Sequence, residues 1–297
     1  MLLKKAINKF LAYLESRNYS QSTLRGYGKE LSYIREYLEN KYNGPVYLKE
    51  IDIEDLNDYL KYKMEVREVS AVTRNRAVYI LKSFYSYLDK KDLMENIARK
   101  LEKIKERSKE SVYLLEEEMG RLIKEIDKPL IRTTTIFLYN TGCRIGEALK
   151  LKINHLDFDN NKISIIQAKG NKDRTVSMNS RLKEELQFYL SNHRPDVDTD
   201  YVFATERSGS LSRVYYDTEL KKAAKRADIY KKISTHTIRH SKAVALRKNG
   251  VDLTIIRDLL GHQSLKTTDE YLHSEMDEID EALETINYLK GKRKNGC

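Results

Sequence analysis

The sequence predicts a mainly α protein of two domains, with one small β-hairpin or sheet set into the second. Three observations lead there. Apolar residues recur at three- and four-residue spacing through most of the chain. The period changes clearly to two in one region, between Lys162 and Met178. A length of 297 residues is enough for two domains with real cores.

Leu3, Ile7, Phe10 and Leu14 form the first helical stripe. Leu24, Tyr27, Leu31, Ile34 and Leu38 form the second, after the potential N-caps Ser20 and Ser22. The Asn43-Gly44-Pro45 break separates it from a third, with Leu56, Tyr59, Leu60 and Met64. A fourth follows Ser70 and carries Ala77, Ile80, Leu81, Phe84 and Leu88. Four amphipathic helices with short loops make a compact bundle. The charged stretch from Arg99 to Ser111 is the expected connection, partly helical. The second domain opens with helical stripes at Met119 to Ile126 and Leu130 to Tyr139. Strands at 162–167 and 174–178 flank Lys169-Gly170-Asn171-Lys172-Asp173, a hairpin signal. Helices follow from Ser180, apart from a short strand at Tyr201-Val202-Phe203. The expected division is 1–107, a linker at 108–113, 114–275, and a helix with a basic tail at 276–297.

Composition narrows the class. Apolar residues at 40% and charged residues at 34% describe a globular chain rather than a disordered one. No stretch approaches the roughly 20 apolar residues of a membrane span. The lysines inside MLLKKAINKFLAYLES argue against a secretory signal. Cys143 and Cys297 offer no disulfide framework, which fits the reducing cytoplasm. Net charge is +10 with a pI near 9.2. Residues 1–110 hold 23 Lys/Arg against 17 Asp/Glu, and the remainder 32 against 28, so both halves are basic. Cations that neutralise phosphates release counterions and drive binding to nucleic acid, although a solvated basic surface explains the same numbers.

Four of the six histidines fall between 236 and 273. There the chain reads His236-Thr237-Ile238-Arg239-His240, then Leu259-Leu260-Gly261-His262, then Tyr271. On a helix His236 and Arg239 share a face. Gly261 stands where a left-handed helix end is often needed. Each residue has a plainer reading. His236 and His240 have i,i+4 metal-ligand spacing but no HExxH pattern or evident third ligand. Tyr271 is one of 21 tyrosines, and a lone Arg239 is usually a surface ion pair.

Together with Thr141-Gly142-Cys143-Arg144-Ile145-Gly146-Glu147-Ala148-Leu149 and the hairpin lysine, these motifs closely resemble the tyrosine recombinase (phage integrase) family. The two-domain layout is most similar to Xer-type and small transposon-encoded recombinases. The resemblance covers 112–275, and 1–107 matches the length and pattern of the family's helical core-binding (SAM-like) domain. It implies a C-terminal α+β catalytic domain. It further implies that Arg144 and Arg239 grip the scissile phosphate and that Lys169 is the hairpin lysine. His236 and His262 would be the active-site histidines, Tyr271 the nucleophile, and Glu147 and His240 supporting residues. The family pattern is departed from at Ala168, Ser177, Ile238 and Glu95-Asn96-Ile97-Ala98, none of which removes a reactive group.

The chemistry agrees. In-line attack on a phosphodiester gathers negative charge, which guanidiniums bind with paired hydrogen bonds. A tyrosine with a pKa of about 10 needs cationic neighbours and an imidazole to become a nucleophile. The leaving oxygen needs a proton, which Lys169 or its neighbour Lys172 can supply. No cofactor and no metal are expected, and a phosphotyrosyl ester keeps the bond energy, so no ATP is needed.

The expected partner is double-stranded DNA with two inverted half-sites, bound by a homotetramer that is monomeric or dimeric when free, away from any membrane. DNA contacts are expected from Arg25, Lys29, Arg74, Arg76 and Lys82, from Lys172 and Arg174 in the hairpin, and from Arg213, Lys221, Lys222 and Lys225. Other readings remain: a non-cutting DNA-binding accessory or regulatory protein on the same fold, and a type IB topoisomerase.

Overall fold

The computed structural model describes residues 1–106, 111–166 and 173–261. The chain divides into two compact units, Met1–Lys109 and Glu110–Cys297, each with its own apolar core. The expected linker at 108–113 lies partly, and the segment at 276–297 wholly, outside the described residues.

In the first unit the four stripes become α1 (Leu3–Ser16), α2 (Gln21–Lys41), α3 (Ile53–Glu65) and α4 (Ala71–Lys90). Their starts are set by side chains that satisfy otherwise orphaned backbone donors. Ser20 accepts from the Thr23 N–H, Ser70 from that of Thr73, and Asp52 and Asp55 cap each other reciprocally. Ser22 lies inside α2 rather than capping it. At the break, Asn43 takes φ 54°, a left-handed conformation that asparagine tolerates. Phe10 packs against Tyr27, Phe84 and Tyr87 with ring centroids 5.9, 5.4 and 5.3 Å apart.

Among its described residues, the charged connection is helical only at its start, in a 3-10 turn over Ile97–Lys100. Residues 101–106 then run along α4. Buried Asn75 donates to the Ile104 carbonyl at 2.8 Å and accepts from the Ile104 N–H at 3.0 Å. The side-chain amide takes the hydrogen bonds that a helix would have used.

The second unit is built on α6 (Pro129–Thr141), preceded by α5 (Glu116–Lys124). Pro129 opens α6, where its missing N–H costs nothing. Thr134, Thr135 and Thr141 are buried because each hydroxyl donates to the carbonyl four residues back. A short α7 (Ile145–Ala148) leads to the sheet. The sheet has three antiparallel strands in the order β1 (Leu156–Asp157), β2 (Lys162–Ile165) and β3 (Arg174–Ser177). The register pairs Ile163 with Val176 and Ile165 with Arg174. Then come α8 (Ser180–Asn192), α9 (Arg213–Arg226), α10 (Thr235–Lys248) and α11 (Leu253–Leu260). Helices α8, α9 and α10 pack on α6. The strand expected at 201–203 is reduced to a single bridge between Tyr201 and Lys152, with the Val202 N–H donating to the Leu151 carbonyl. Strand β1 was not foreseen. Among the described residues no helix is long and apolar enough to cross a membrane.

Candidate active site

Helix α6 ends at Gly142, whose φ of 62° is left-handed. A Cβ at Gly142 would come 2.5 Å from Leu260 Cδ2, so glycine is needed here both for the turn and for the approach of α11. Two residues on, Arg144 is the N-cap of α7, and the Glu147 carboxylate three residues later reaches back to it. Its N–H donates to Glu147 Oε2 at 2.9 Å, and its Nη1 to Glu147 Oε1 at 3.0 Å. The other terminal nitrogen donates to the Gly261 carbonyl at 3.3 Å. Arg144 still keeps 39% of its side chain in solvent.

Arg239 is placed differently. It projects from the first turns of α10 and is 5% exposed. Its two terminal nitrogens donate to the Gly142 and Leu260 carbonyls, each at 2.7 Å. These carbonyls close α6 and α11, where helix dipoles concentrate partial negative charge. One buried cation therefore ties together the loop that carries Arg144 and the helix that ends at Gly261.

His236, one turn before Arg239, reaches the surface. Partial burial and the cations of Arg213, Arg239 and Arg144 lower its pKa from the ordinary histidine value. A neutral imidazole that can accept a proton is the result. His240 is buried beside Tyr113, edge to face at 5.9 Å, and burial lowers its pKa too. Cys143 is fully buried and its thiol is pushed up to about 12, which makes it inert at neutral pH. For Glu147, burial alone would raise the carboxyl. Hydrogen bonds from Arg174 and the Arg144 backbone outweigh that and hold it below the usual carboxylate range.

The structure thus brings together Arg144, Glu147, His236 and Arg239, with Gly261 at the same place. In sequence, Lys169 and Lys172 fall between β2 and β3, and His262 directly follows Gly261. These three and Tyr271 lie outside the described residues.

The cations expected to meet DNA are scattered. Arg25 and Arg76 are exposed, and Lys82 is half-buried. Lys29 lies 5.7 Å from the Tyr33 ring. Arg74 is used internally, donating to the Glu102 carbonyl. Lys29 and Arg76 line a cavity of about 730 Å³ together with Tyr33, Lys63 and Arg67. Arg67 was not anticipated, because it lies beyond the apolar stripe of α3. In α9, Lys221, Lys222 and Lys225 lie on the exposed side, while Tyr216, Leu220 and Ala223 face the core. Arg213 pairs with Asp217 at 3.5 Å. Arg174 is turned inward and donates to Glu147 Oε2 at 2.8 Å.

Strand alternation signals that inward turn. Arg174 and Val176 are two apart and share a face, and Val176 is buried. Its partner Glu147, 27 residues away in sequence, carries no such signal.

The pattern of the phage integrase family matches residues 112–278, and that of the phage integrase N-terminal SAM-like domain matches residues 7–92. The chain is 31% identical to tyrosine recombinase XerC of Lactobacillus delbrueckii subsp. bulgaricus, over 91% of this chain and 95% of that protein. It is also 31% identical to tyrosine recombinase XerA of Pyrococcus furiosus, over 97% and 96%. Among solved structures, the XerH site-specific recombinase bound to difH substrate in a pre-cleavage complex superposes with a TM-score of 0.71. Identity there is 25%, and coverage is 93% of this chain and 83% of that one. A mainly helical fold with a small antiparallel sheet, a SAM-like first domain and an integrase second domain defines a tyrosine site-specific recombinase. The chain belongs to the phage integrase family.

Proposed function

We propose that this chain cuts and rejoins double-stranded DNA at a site of two inverted half-sites, through a 3′-phosphotyrosyl intermediate at Tyr271. The observation that carries the reading is the convergence of Arg144, Arg239 and a neutral His236 beside Gly261, immediately before His262. Arg144 and Arg239 bind the non-bridging oxygens as charge develops on them. The Tyr271 oxygen attacks phosphorus as its proton passes to His236, and the bond from phosphorus to the 5′-oxygen breaks. Lys169 protonates that leaving oxygen, and His262 adds a hydrogen bond to the phosphate. A 5′-hydroxyl from the partner duplex reverses the steps, so no cofactor, metal or ATP is consumed.

Residues 1–107 serve as the DNA core-binding domain and 114–275 as the catalytic domain, joined at 108–113. Exposed Arg25, Lys29 and Arg76, with Lys221 and Lys225 on α9, supply phosphate contacts that set register. The segment 276–297 docks on a neighbouring protomer, coupling four copies through a Holliday junction in cytoplasmic DNA. Two duplexes of different length, each with a full site, test this in vitro. Exchanged products with a transient four-way junction are expected from the wild type and none from Tyr271→Phe. Deleting 276–297 is expected to spare binding to a single site and suppress exchange. In a separate assay, relaxation of a supercoiled plasmid lacking such a site would favour a topoisomerase instead.

A further inference from the structure

The Arg174 side chain is 12% exposed, and Nη2 donates to Glu147 Oε2 at 2.8 Å. Among the described residues, the buried Nε and Nη1 have no hydrogen-bond partner. Gly261 lies against the guanidinium, since a Cβ there would come within 3.2 to 3.4 Å of Nη1, Cζ and Nε. A cation held this tightly, with two donors unsatisfied, is expensive to keep. Its value has to lie elsewhere than in its own hydrogen bonds.

Glu147 is one negative charge between two guanidiniums. Oε1 faces Arg144 Nη1 at 3.0 Å, and Oε2 faces Arg174. Without Arg174, the carboxylate would take its counter-charge from Arg144 alone, because a half-buried anion cannot stay unpaired cheaply. Arg144 would then enter the site as half of a neutral pair, drawn toward α7. With Arg174 present the three groups sum to one positive charge, and Arg144 keeps its exposed side for another anion.

We propose that Arg174 is a positioning residue for strand cleavage: by sharing Glu147 it leaves the Arg144 guanidinium positively charged toward the scissile phosphate. This rests on the reading of Arg144 as a phosphate ligand. It also links β3, the strand that follows Lys169 and Lys172 in sequence, to the loop that carries Arg144. A DNA-backbone role for Arg174, expected from its charge, does not suit a side chain so enclosed.

The test compares cleavage of two nicked duplexes carrying half-sites that the full chain itself selects from a randomised pool. One has a normal scissile phosphodiester, the other a methylphosphonate there. The methylphosphonate is neutral and gathers less negative charge, so it depends less on a cation. Arg174→Met is expected to lower the phosphodiester-to-methylphosphonate rate ratio by about tenfold. Adding Glu147→Gln to Arg174→Met should restore part of that ratio, since a neutral amide no longer competes for Arg144. An unchanged ratio in Arg174→Met, with the rate either held or lost equally on both duplexes, would overturn the proposal, as would a double variant no better than the single. If Arg174→Met fails to fold, Arg174→Gln decides: a ratio below the wild type supports the proposal, and a wild-type ratio refutes it. Arg144→Ala runs alongside. If it leaves the ratio unchanged, the reading of Arg144 as phosphate ligand is what fails.

Discussion

Two helix-ending carbonyls hold the Arg239 guanidinium at 2.7 Å each, so its charge is oriented before any anion arrives. Preorganised charge of this kind is where enzymes gain most, because nothing reorganises during reaction. His236 sits in the field of that cation and two others. Its pKa is lowered from the ordinary histidine value, first by burial, then by Arg213, Arg239 and Arg144. A lowered pKa keeps the imidazole neutral through neutral pH, and protonation removes the base only as pH falls well below the ordinary value. Single-turnover cleavage should therefore be flat near pH 7, with an acid limb below about 6.5. Arg213→Ala removes one repelling charge and should move that limb to higher pH. An unmoved limb would show that His236 is not the group being titrated. At this scale much of the site was legible, because His236, Arg239 and Gly261 announce themselves through spacing. Glu147 bonded to Arg174 was not, since a contact across 27 residues leaves no local periodicity.

Among the elements, the helices were the most legible, because their starts are written in single residues. Ser20, Ser70, Ser212, Ser234 and Asp252 each accept a backbone N–H in the first turn. The sheet was less so. Two-residue β1 is too short to alternate, and 201–203 has the composition of a strand but only one bridging partner. The described part of the connector is extended beyond Lys100 because Asn75, a polar residue in α4, fixes residue 104 by side-chain hydrogen bonds. Two glycines four residues apart separate conformation from propensity. Gly142 has φ 62° and no room against Leu260, whereas a Cβ at Gly146 meets nothing within 4 Å. Gly142→Ala should lower unfolding free energy by about 2 kcal/mol through left-handed strain and displacement of Leu260. Gly146→Ala, in helix α7, should be neutral or stabilising by up to about 1 kcal/mol. Chemical denaturation followed by circular dichroism checks both. Equal effects at the two positions would mean that the α6 turn does not hold α11.

On the scale of the whole molecule, two basic units with separate cores form one chain, with no metal chemistry proposed. The first unit supplies exposed cations on α2 and α4. The second brings Arg144, Glu147, Arg174 and Arg239 together where α6, α10, α11 and β3 meet. That division suits an enzyme that holds a long polymer while acting on one bond in it. In the proposed reaction that bond is exchanged for one to Tyr271. The most direct measurement incubates the full chain with a nicked duplex that traps cleaved ends, in EDTA, and looks for a denaturant-resistant protein–DNA adduct. An adduct is expected whose DNA-bearing peptide contains Tyr271 and which is absent in Tyr271→Phe. An adduct that persists in Tyr271→Phe, or a wild-type chain that binds the duplex and never becomes attached to it, would contradict that reaction.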